Sequence, residues 1–166
     1  MNLQSAIIKG AKILESQLVL SPYLDSEILM TKVINRDKKY LLMNAKKKIE
    51  DKKLNLFKKL INERSKGKPV SHLTNKKFFW NSEFFVTNDT LIPRPDSELV
   101  VENILSLTKH KNTMTILDIG IGSGCILLSI LKERKNFYGT GIDISKKCLN
   151  ISRINAINLK VSSRLK

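Results

Sequence analysis

The chain has 166 residues, of which 42% are apolar and 27% are charged, so it can build a core and is not expected to be disordered throughout. Its 30 lysines and arginines stand against 15 acidic residues, a formal net charge of +15. No run of about 18 apolar residues is present, which excludes a membrane span, and no secretion signal is recognised. Two cysteines make neither a disulfide framework nor a zinc site, and we expect a reducing, cytoplasmic location.

The excess of positive charge has two interpretations. It favours an anionic partner such as nucleic acid, because basic side chains neutralise phosphates. It is also typical of AT-rich coding, since 24 lysines accompany only 6 arginines, and arginine would be expected to dominate phosphate contacts. The charge is concentrated in residues 36–77, which carry 15 basic and 4 acidic side chains. A weak nucleic-acid contact is therefore expected, if anywhere, in this basic region.

Amphipathic helices are predicted along the N-terminal part of the chain. Apolar side chains recur at helical spacing over residues 7–18. Ser21 and Pro22 then mark a helix start, since serine is a good N-cap and proline lacks only an N–H that the first turn leaves unused. This helix is expected to reach about Asn35, and a short one to occupy 38–43.

A longer helix is predicted from near Glu50, with its lysines on the solvated face. Gly67-Lys68-Pro69 ends it, because proline cannot continue a helix. The aromatic runs at 76–80 and 84–86, separated by 81–83, predict a β-hairpin. Its aromatic side chains either form a stacking platform for bases or pack the hairpin between two domains.

The segment after the hairpin is expected to be extended and then helical. Each proline of Ile92-Pro93-Arg94-Pro95 keeps the residue before it out of the α region. Asp96 or Ser97 is expected to cap a helix that continues to Leu107.

Strands and helices alternate in the remaining sequence. A buried strand at 114–119 leads through a glycine-rich loop into a helix that ends near Lys135. A second strand at 137–143 leads into a helix capped by Ser145. A third strand would follow at 159–161. This β-α-β-α order is the start of an open, doubly wound parallel sheet.

The glycine-rich loop carries the chemistry. It reads Asp118-x-Gly120-x-Gly122-Ser123-Gly124, and glycines let the backbone turn sharply and a ligand approach it closely. The helix N-terminus that follows adds unpaired N–H groups and a partial positive charge. Asp143 ends the next strand about 20 residues on, where a carboxylate can accept hydrogen bonds from both ribose hydroxyls.

The loop discriminates among nucleoside ligands. The dinucleotide fingerprint would need glycine where Cys125 stands, and no Lys-Ser/Thr pair follows to form a P-loop. Asp118 would repel a pyrophosphate but suits a ligand that bears an ammonium group. S-adenosylmethionine fits, since its ammonium and sulfonium are cationic and its ribose suits Asp143.

Four segments together resemble the HemK/PrmC methyltransferases. They are residues 67–75, 79–80, 90–98 and 116–124, and Leu-Ile-Pro-Arg-Pro-Asp-Ser-Glu in the third is the most specific. Members of that family methylate the side-chain amide of the glutamine in the Gly-Gly-Gln motif of peptide chain release factors. The resemblance covers nearly the whole chain.

The resemblance implies an α/β protein in three parts with a release factor as partner and S-adenosylmethionine as cofactor. These parts are a helical substrate-recognition domain at 1–74, a β-hairpin and linker at 75–95, and a partial Rossmann-like domain at 96–166. The residues expected to bind the cofactor are Asp118, Gly120, Ile121, Gly122, Ser123, Gly124 and Asp143.

One departure from the family stands out. Its Asn-Pro-Pro-Tyr motif orients the glutamine amide for in-line methyl transfer, and no Asn-Pro-Pro occurs in this sequence. The residues from Thr113 onward suffice for two β-α units and a stub, whereas the family domain has seven strands. We therefore expect a C-terminally truncated, unstable product that lacks catalytic residues and is inactive alone. A free sheet edge and bared apolar faces on both helices are expected to accompany this.

Two other functions stay open: a basic helical module that binds RNA or a release factor, and a methyltransferase for amino groups of nucleic-acid bases. Arg94 either contacts cofactor or substrate or forms a salt bridge that fixes the turn between domains. Cys125 is either a thiol of lowered pKa or a small buried apolar residue. His72 and His110 have no partner at metal or catalytic spacing, and we expect a monomer without a metal site.

Overall fold

The computed structural model describes all residues from 1 to 166, which form two compact units, Met1–Thr74 and Asn75–Lys166. The first unit is a small helical bundle. Its helices are α1 (Leu3–Glu15), α2 (Pro22–Ile34), α3 (Lys38–Met43), α4 (Asp51–Ser65) and α5 (Val70–Thr74). Neither unit contains a helix with the length and apolar character that crossing a bilayer demands.

Short-range chemistry sets the ends of the first two helices. As predicted, Pro22 takes the first position of α2 and the helix ends at about Asn35, which adopts the left-handed region with φ 56°. Ser21 precedes the helix but, contrary to the prediction, its side chain makes no cap hydrogen bond. The first helix is shorter than predicted, because α1 ends at Glu15 and the chain reverses at Leu18, where φ is 56°. Leu18 is 90% exposed and takes no part in the apolar stripe.

The core of the first unit lies between α1, α2 and α4. Gly10 brings α1 close to its neighbours, since a Cβ atom there would lie 2.6 Å from Ser26 Oγ and 2.9 Å from Phe57 Cζ. Arg64 Nε of α4 donates to Asp25 Oδ2 of α2 at 2.7 Å. Close packing around Gly10 and one ion pair, itself mostly shielded from solvent, therefore hold α1, α2 and α4 together.

The second unit begins with a β-hairpin and continues with helices around a parallel pair of strands. Its elements are β1 (Lys76–Phe79), β2 (Ser82–Phe85), α6 (Glu98–Leu107), β3 (Met114–Ile119), α7 (Cys125–Glu133), β4 (Phe137–Ile142) and α8 (Lys146–Asn158). A 3₁₀ turn at Pro95–Ser97 runs directly into α6, and the predicted cap is wrong, because neither Asp96 nor Ser97 caps the helix with its side chain. The order confirms the predicted α/β class with a partial Rossmann-like fold.

The hairpin turn is tighter than predicted. Ser82 and Glu83 belong to β2, which leaves only Trp80 and Asn81 in the turn. Trp80 adopts φ 49°, and its backbone N–H donates to Glu98 Oε1 at 2.8 Å. Its indole N–H donates to Glu133 Oε1, also at 2.8 Å. Hydrogen bonds from two distant helices thus hold a turn conformation that the local sequence does not favour.

The hairpin aromatics contribute to a core rather than to a stacking platform. Phe79 and Phe84 are buried, and their rings meet edge to face with centroids 6.1 Å apart. They pack with side chains of α6, α7 and β4. Among the aromatic side chains of the hairpin, Phe78 alone is largely exposed, at 68%. The base-stacking interpretation is therefore wrong for the two rings at its centre.

The parallel pair places residues 114–119 beside 137–142 in register. The predicted third strand at 159–161 is wrong, because these residues close the end of α8 as a turn. The chain reaches the sheet later: Lys166 donates to the Gly139 carbonyl and accepts from the Gly141 N–H, both at 2.9 Å. β4 is thus bonded on both sides, whereas β3 has one neighbouring strand.

The expectation that both helices would bare apolar faces is wrong for α7, whereas α8 exposes Ile154 at 42% and Ile157 at 65%. The inward side chains of α7, such as Leu127 and Leu131, are fully buried against β4 and the hairpin. The opposite face of the sheet is open: Leu117 is 58% exposed, Ile119 76% and Ile142 47%. One face of β3 and β4 is therefore covered, since α7 lies across it, and the other faces solvent.

Candidate functional site

The candidate site lies where β3 and β4 end. Parallel strands point their carboxyl ends to the same edge of a sheet, and the register pairs Asp118 with Gly141. Asp143 follows β4 directly, and residues 120–124 follow β3. The pairing therefore brings the two acids and the glycine loop to one edge, as ligand sites in open α/β sheets require.

The glycine loop closes on itself through backbone hydrogen bonds. The N–H groups of Gly120 and Ile121 both donate to the Ile142 carbonyl, at 2.8 Å and 3.0 Å. The Gly124 N–H donates to the Ile121 carbonyl at 2.7 Å. Gly120, Gly122 and Gly124 have φ values of 83°, 54° and 80°, which side-chain-bearing residues seldom adopt. Glycine is therefore required to fold this turn.

Asp143 fixes the loop from the side. Its Oδ2 accepts the Gly122 N–H at 2.9 Å, and its Oδ1 accepts the Ser145 N–H at 2.9 Å. The Ser145 bond and then the Gly122 bond hold the pKa of this carboxyl below its ordinary value, because N–H dipoles stabilise the charged form. Asp143 is thus an ionised side chain that joins the two strand ends.

Asp118 has the opposite electrostatic character. Burial raises the pKa of its carboxyl, and the neighbouring charge of Asp143 raises it further. The backbone N–H of Leu127, in the first turn of α7, acts in the other direction. Negative charges on Asp118 and Asp143 repel one another, and a cationic ligand bound beside them would reduce this repulsion.

The structure corrects the expectation that loop N–H groups are free for a ligand. Four of the five loop N–H groups donate to acceptors within the protein, namely those of Gly120, Ile121, Gly122 and Gly124. Only the Ser123 N–H has no partner. The reason is geometric, since the turn needs these bonds to close. The edge consequently offers more acceptor oxygens than donors, which suits a cationic ligand better than an anionic one.

Glycines at this edge serve two different purposes. A Cβ atom at Gly120 would have no neighbour within 4 Å, so open space lies in front of the loop there. A Cβ atom at Gly139 would lie 2.9 Å from both methyl carbons of Leu127. Gly120 therefore leaves room for a ligand, whereas Gly139 lets α7 lie on the sheet.

Asn155 of α8 was not predicted from the sequence, and its side chain supports the glycine-rich loop. This fully buried side chain accepts the Phe85 N–H at 2.7 Å and donates to the Phe85 carbonyl at 2.9 Å. It also donates to the Ser123 carbonyl at 2.8 Å. Its position one turn after Ile151, on the apolar stripe of α8, was the available signal. Asn155 thus ties β2 to the glycine loop.

The structure also shows the surroundings of Arg94, Cys125 and Ser123, three residues that the sequence pointed to. The Arg94 side chain is exposed and forms no hydrogen bond or ion pair, so the salt bridge, one of its two proposed roles, is absent. Burial raises the pKa of the Cys125 thiol, contrary to a thiol activated by its helix. Ser123, a predicted cofactor residue, is 3% exposed, and its hydroxyl lies against Cys125.

Known proteins match the chain along most of its length. Residues 5–74 match the family model described as the PrmC N-terminal domain. The release factor glutamine methyltransferase of Leptospira interrogans is 38% identical over 91% of this chain. The predicted resemblance to the HemK/PrmC family is confirmed. The enzyme of the same name from Clostridium acetobutylicum is 34% identical over 100% of the chain.

The chain spans about half the length of the HemK/PrmC relatives that it matches. It covers 53% of the Leptospira protein and 58% of the Clostridium protein. Among solved structures, a SAM-dependent methyltransferase from Geobacter sulfurreducens in complex with S-adenosyl-L-homocysteine matches 44% of this chain and 28% of its own length. That alignment has 25% identity and a TM-score of 0.37.

Proposed function

We propose that this chain is the helical and donor-binding part of a release factor glutamine methyltransferase. Such an enzyme transfers a methyl group from S-adenosylmethionine to the side-chain amide nitrogen of the Gly-Gly-Gln glutamine of release factors. The hydrogen bond from Gly122 N–H to Asp143 Oδ2, at 2.9 Å, carries the proposal, because it joins loop and carboxylate at one edge. The names of the curated relatives support the same activity.

The residues at this edge fit the donor. Each oxygen of Asp143 accepts one backbone N–H and keeps a lone pair that can accept a ribose hydroxyl. Asp118 would balance the ammonium group, and the space in front of Gly120 admits a ligand close to the backbone. When bound, S-adenosylmethionine supplies a methyl group on a sulfonium centre, which leaves as the sulfonium becomes a neutral thioether.

The contribution of these residues to transfer is positioning. Asp143 and Asp118 hold the donor at the strand ends, and Asn155 keeps the loop beneath it in place. We assign no residue among 1–166 to hold the acceptor amide, because the Asn-Pro-Pro-Tyr motif of the family does not occur in them. We propose that the chain binds the donor and does not methylate a release factor by itself.

Calorimetry with S-adenosylmethionine tests the donor site. Asp143→Ala is expected to weaken binding by about 1–3 kcal/mol, because ribose hydroxyls lose their acceptor. Glu102→Ala is the matched control, since Glu102 is an exposed acid on α6 whose side chain forms no hydrogen bond or ion pair. Absence of binding at millimolar donor, or equal affinities of the two variants, would contradict the proposal.

A further inference from the structure

A groove opens on the helical unit between α1 and α4, separate from the glycine loop. It has a volume of about 310 Å³. The residues that line it are Met1, Ala6, Lys9, Gly10, Ile13, Phe57, Lys58, Ile61 and Asn62. On α1 these follow helical spacing over seven residues, which at about 1.5 Å per residue gives a length of about 10 Å. The groove is therefore long enough for two turns of a helix.

The floor of the groove is apolar and shallow on the α1 side. Ala6 and Gly10, one turn apart on α1, are buried at the base of the groove, where Phe57 and Ile61 of α4 pack directly against Gly10. Phe57 and Ile61 of α4 are each 2% exposed and form the opposite wall. Ile13 stands at one end and is 50% exposed. An apolar side chain from outside would meet mostly carbon here, which favours burial over hydration.

The rim of the groove is positively charged and unpaired. Lys9 and Lys58 are exposed, and neither forms an ion pair, although Lys38 and Lys53 in the same unit do. Residues 1–74 contain 16 lysines and arginines and only 7 acidic residues. The unit thus leaves these two ammonium groups without counter-charge, and a partner with carboxylates would supply it.

We propose that this groove docks an acidic amphipathic helix of the release factor. The helix lays an apolar side chain over the contact between α1 and α4, against Ile13, and sets carboxylates beside Lys9 and Lys58. This inference names how the protein substrate is held and so rests on the proposed function. A protein segment is favoured over RNA because no aromatic ring is exposed at the groove for bases to stack on, Phe57 being buried.

Charge-reversal variants test the rim. The affinity of the full chain for a fluorescently labelled release factor is measured by anisotropy. Lys9→Glu with Lys58→Glu is expected to weaken binding at least about tenfold at low salt. Lys39→Glu with Lys46→Glu makes the same change of charge at exposed, unpaired lysines outside the groove, and is expected to stay within about twofold. Thermal unfolding of each variant checks that the unit remains folded.

A second pair of variants tests the floor without altering charge. Ile13→Ser removes apolar surface at the groove and is expected to weaken binding about fivefold. Ile8→Ser, at a position 40% exposed on α1 outside the groove, is expected to leave it unchanged.

Three results would overturn the groove proposal. These are no binding of the release factor to the unaltered chain, equal weakening by the two double variants, and loss of single-stranded RNA binding alone in Lys9→Glu with Lys58→Glu. Donor binding belongs to the other unit and is measured separately by calorimetry. Failure of the groove is therefore distinguishable from failure of the proposed methyltransferase.

Discussion

Asp143 Oδ2 accepts a hydrogen bond from the Gly122 N–H at 2.9 Å, so a single carboxylate anchors the loop after β3 to the end of β4. The other oxygen of the same side chain holds the Ser145 N–H at the start of α8. The shape of the site thus depends on an acid that we also assign to the donor. Stability and ligand affinity must both respond to its replacement, and they can be measured apart.

Asp143→Asn is expected to lower the unfolding free energy of the second unit by about 1–2 kcal/mol near neutral pH, because two charge-assisted hydrogen bonds weaken. Urea unfolding followed by the fluorescence of Trp80, the only tryptophan, reports on this unit. Since the pKa of Asp143 is lowered by folding, its contribution is complete above the ordinary value of 3.8 and is lost as pH falls through the folded pKa. A difference between variant and parent that persists in strong acid would contradict this account.

Asp118→Asn is expected to act in the opposite direction on stability. Folding raises the pKa of Asp118, so its ionisation costs stability as pH rises from 3.8 through the folded pKa. The variant should therefore unfold at higher urea concentration than the parent near neutral pH, and at the same concentration in acid. Its affinity for S-adenosylmethionine should fall, since the ammonium group loses a counter-charge. A variant that loses both stability and affinity would refute the electrostatic role.

Asn155→Leu is expected to cost roughly 3–5 kcal/mol of unfolding free energy, because three hydrogen bonds to the backbone of Phe85 and Ser123 are lost, the Ser123 bond being buried. Asn150→Leu, at an exposed position of the same helix, is the control and should change it by about 0.5 kcal/mol or less. Trp80 fluorescence in urea again gives both values. Equal effects of the two substitutions would show that Asn155 does not hold the loop.

Gly120→Ala and Gly139→Ala are expected to have different effects, because Gly120 leaves room for the donor whereas Gly139 lets α7 pack on the sheet. At Gly120 the added methyl group projects into open space, so donor affinity should fall while stability drops by only about 1–2 kcal/mol from backbone strain. At Gly139 the methyl group meets Leu127, so stability should fall by about 1–3 kcal/mol. Calorimetry is expected to find the donor affinity of folded Gly139→Ala unchanged. The reverse pattern would place the ligand elsewhere.

Periodicity and helix-breaking residues suffice to predict most elements of the chain. Pro22 and Asn35 bound α2 because proline suits a first turn and asparagine tolerates the left-handed region. The apolar run at 114–119 is β3, and the next apolar run, at 137–142, pairs with it in parallel. Because parallel strands end at one edge, the meeting of Asp143 with the glycine loop could be predicted as well. That these residues bind a cofactor stays a prediction.

Contacts between distant parts of the chain could not be predicted. Trp80 takes a positive φ in the hairpin turn because Glu98 and Glu133, far along the chain, accept its two N–H groups. Asn155 bonds to Phe85, 70 residues away, and nothing local marks that partner. The N–H groups of Gly120 and Ile121 likewise turn inward because the Ile142 carbonyl lies within reach only after β3 and β4 pair.

The central claim is that the loop after β3 and the acid after β4 hold the methyl donor. Titration of the ¹⁵N-labelled chain with S-adenosylmethionine, followed by amide NMR shifts, tests it most directly. The account predicts saturable shifts at Gly120, Gly122 and Gly124 and around Asp143, with Gly10 and Gly67 of the helical unit unmoved. Saturation that leaves the loop glycines unshifted, or shifts confined to the helical unit, would contradict it.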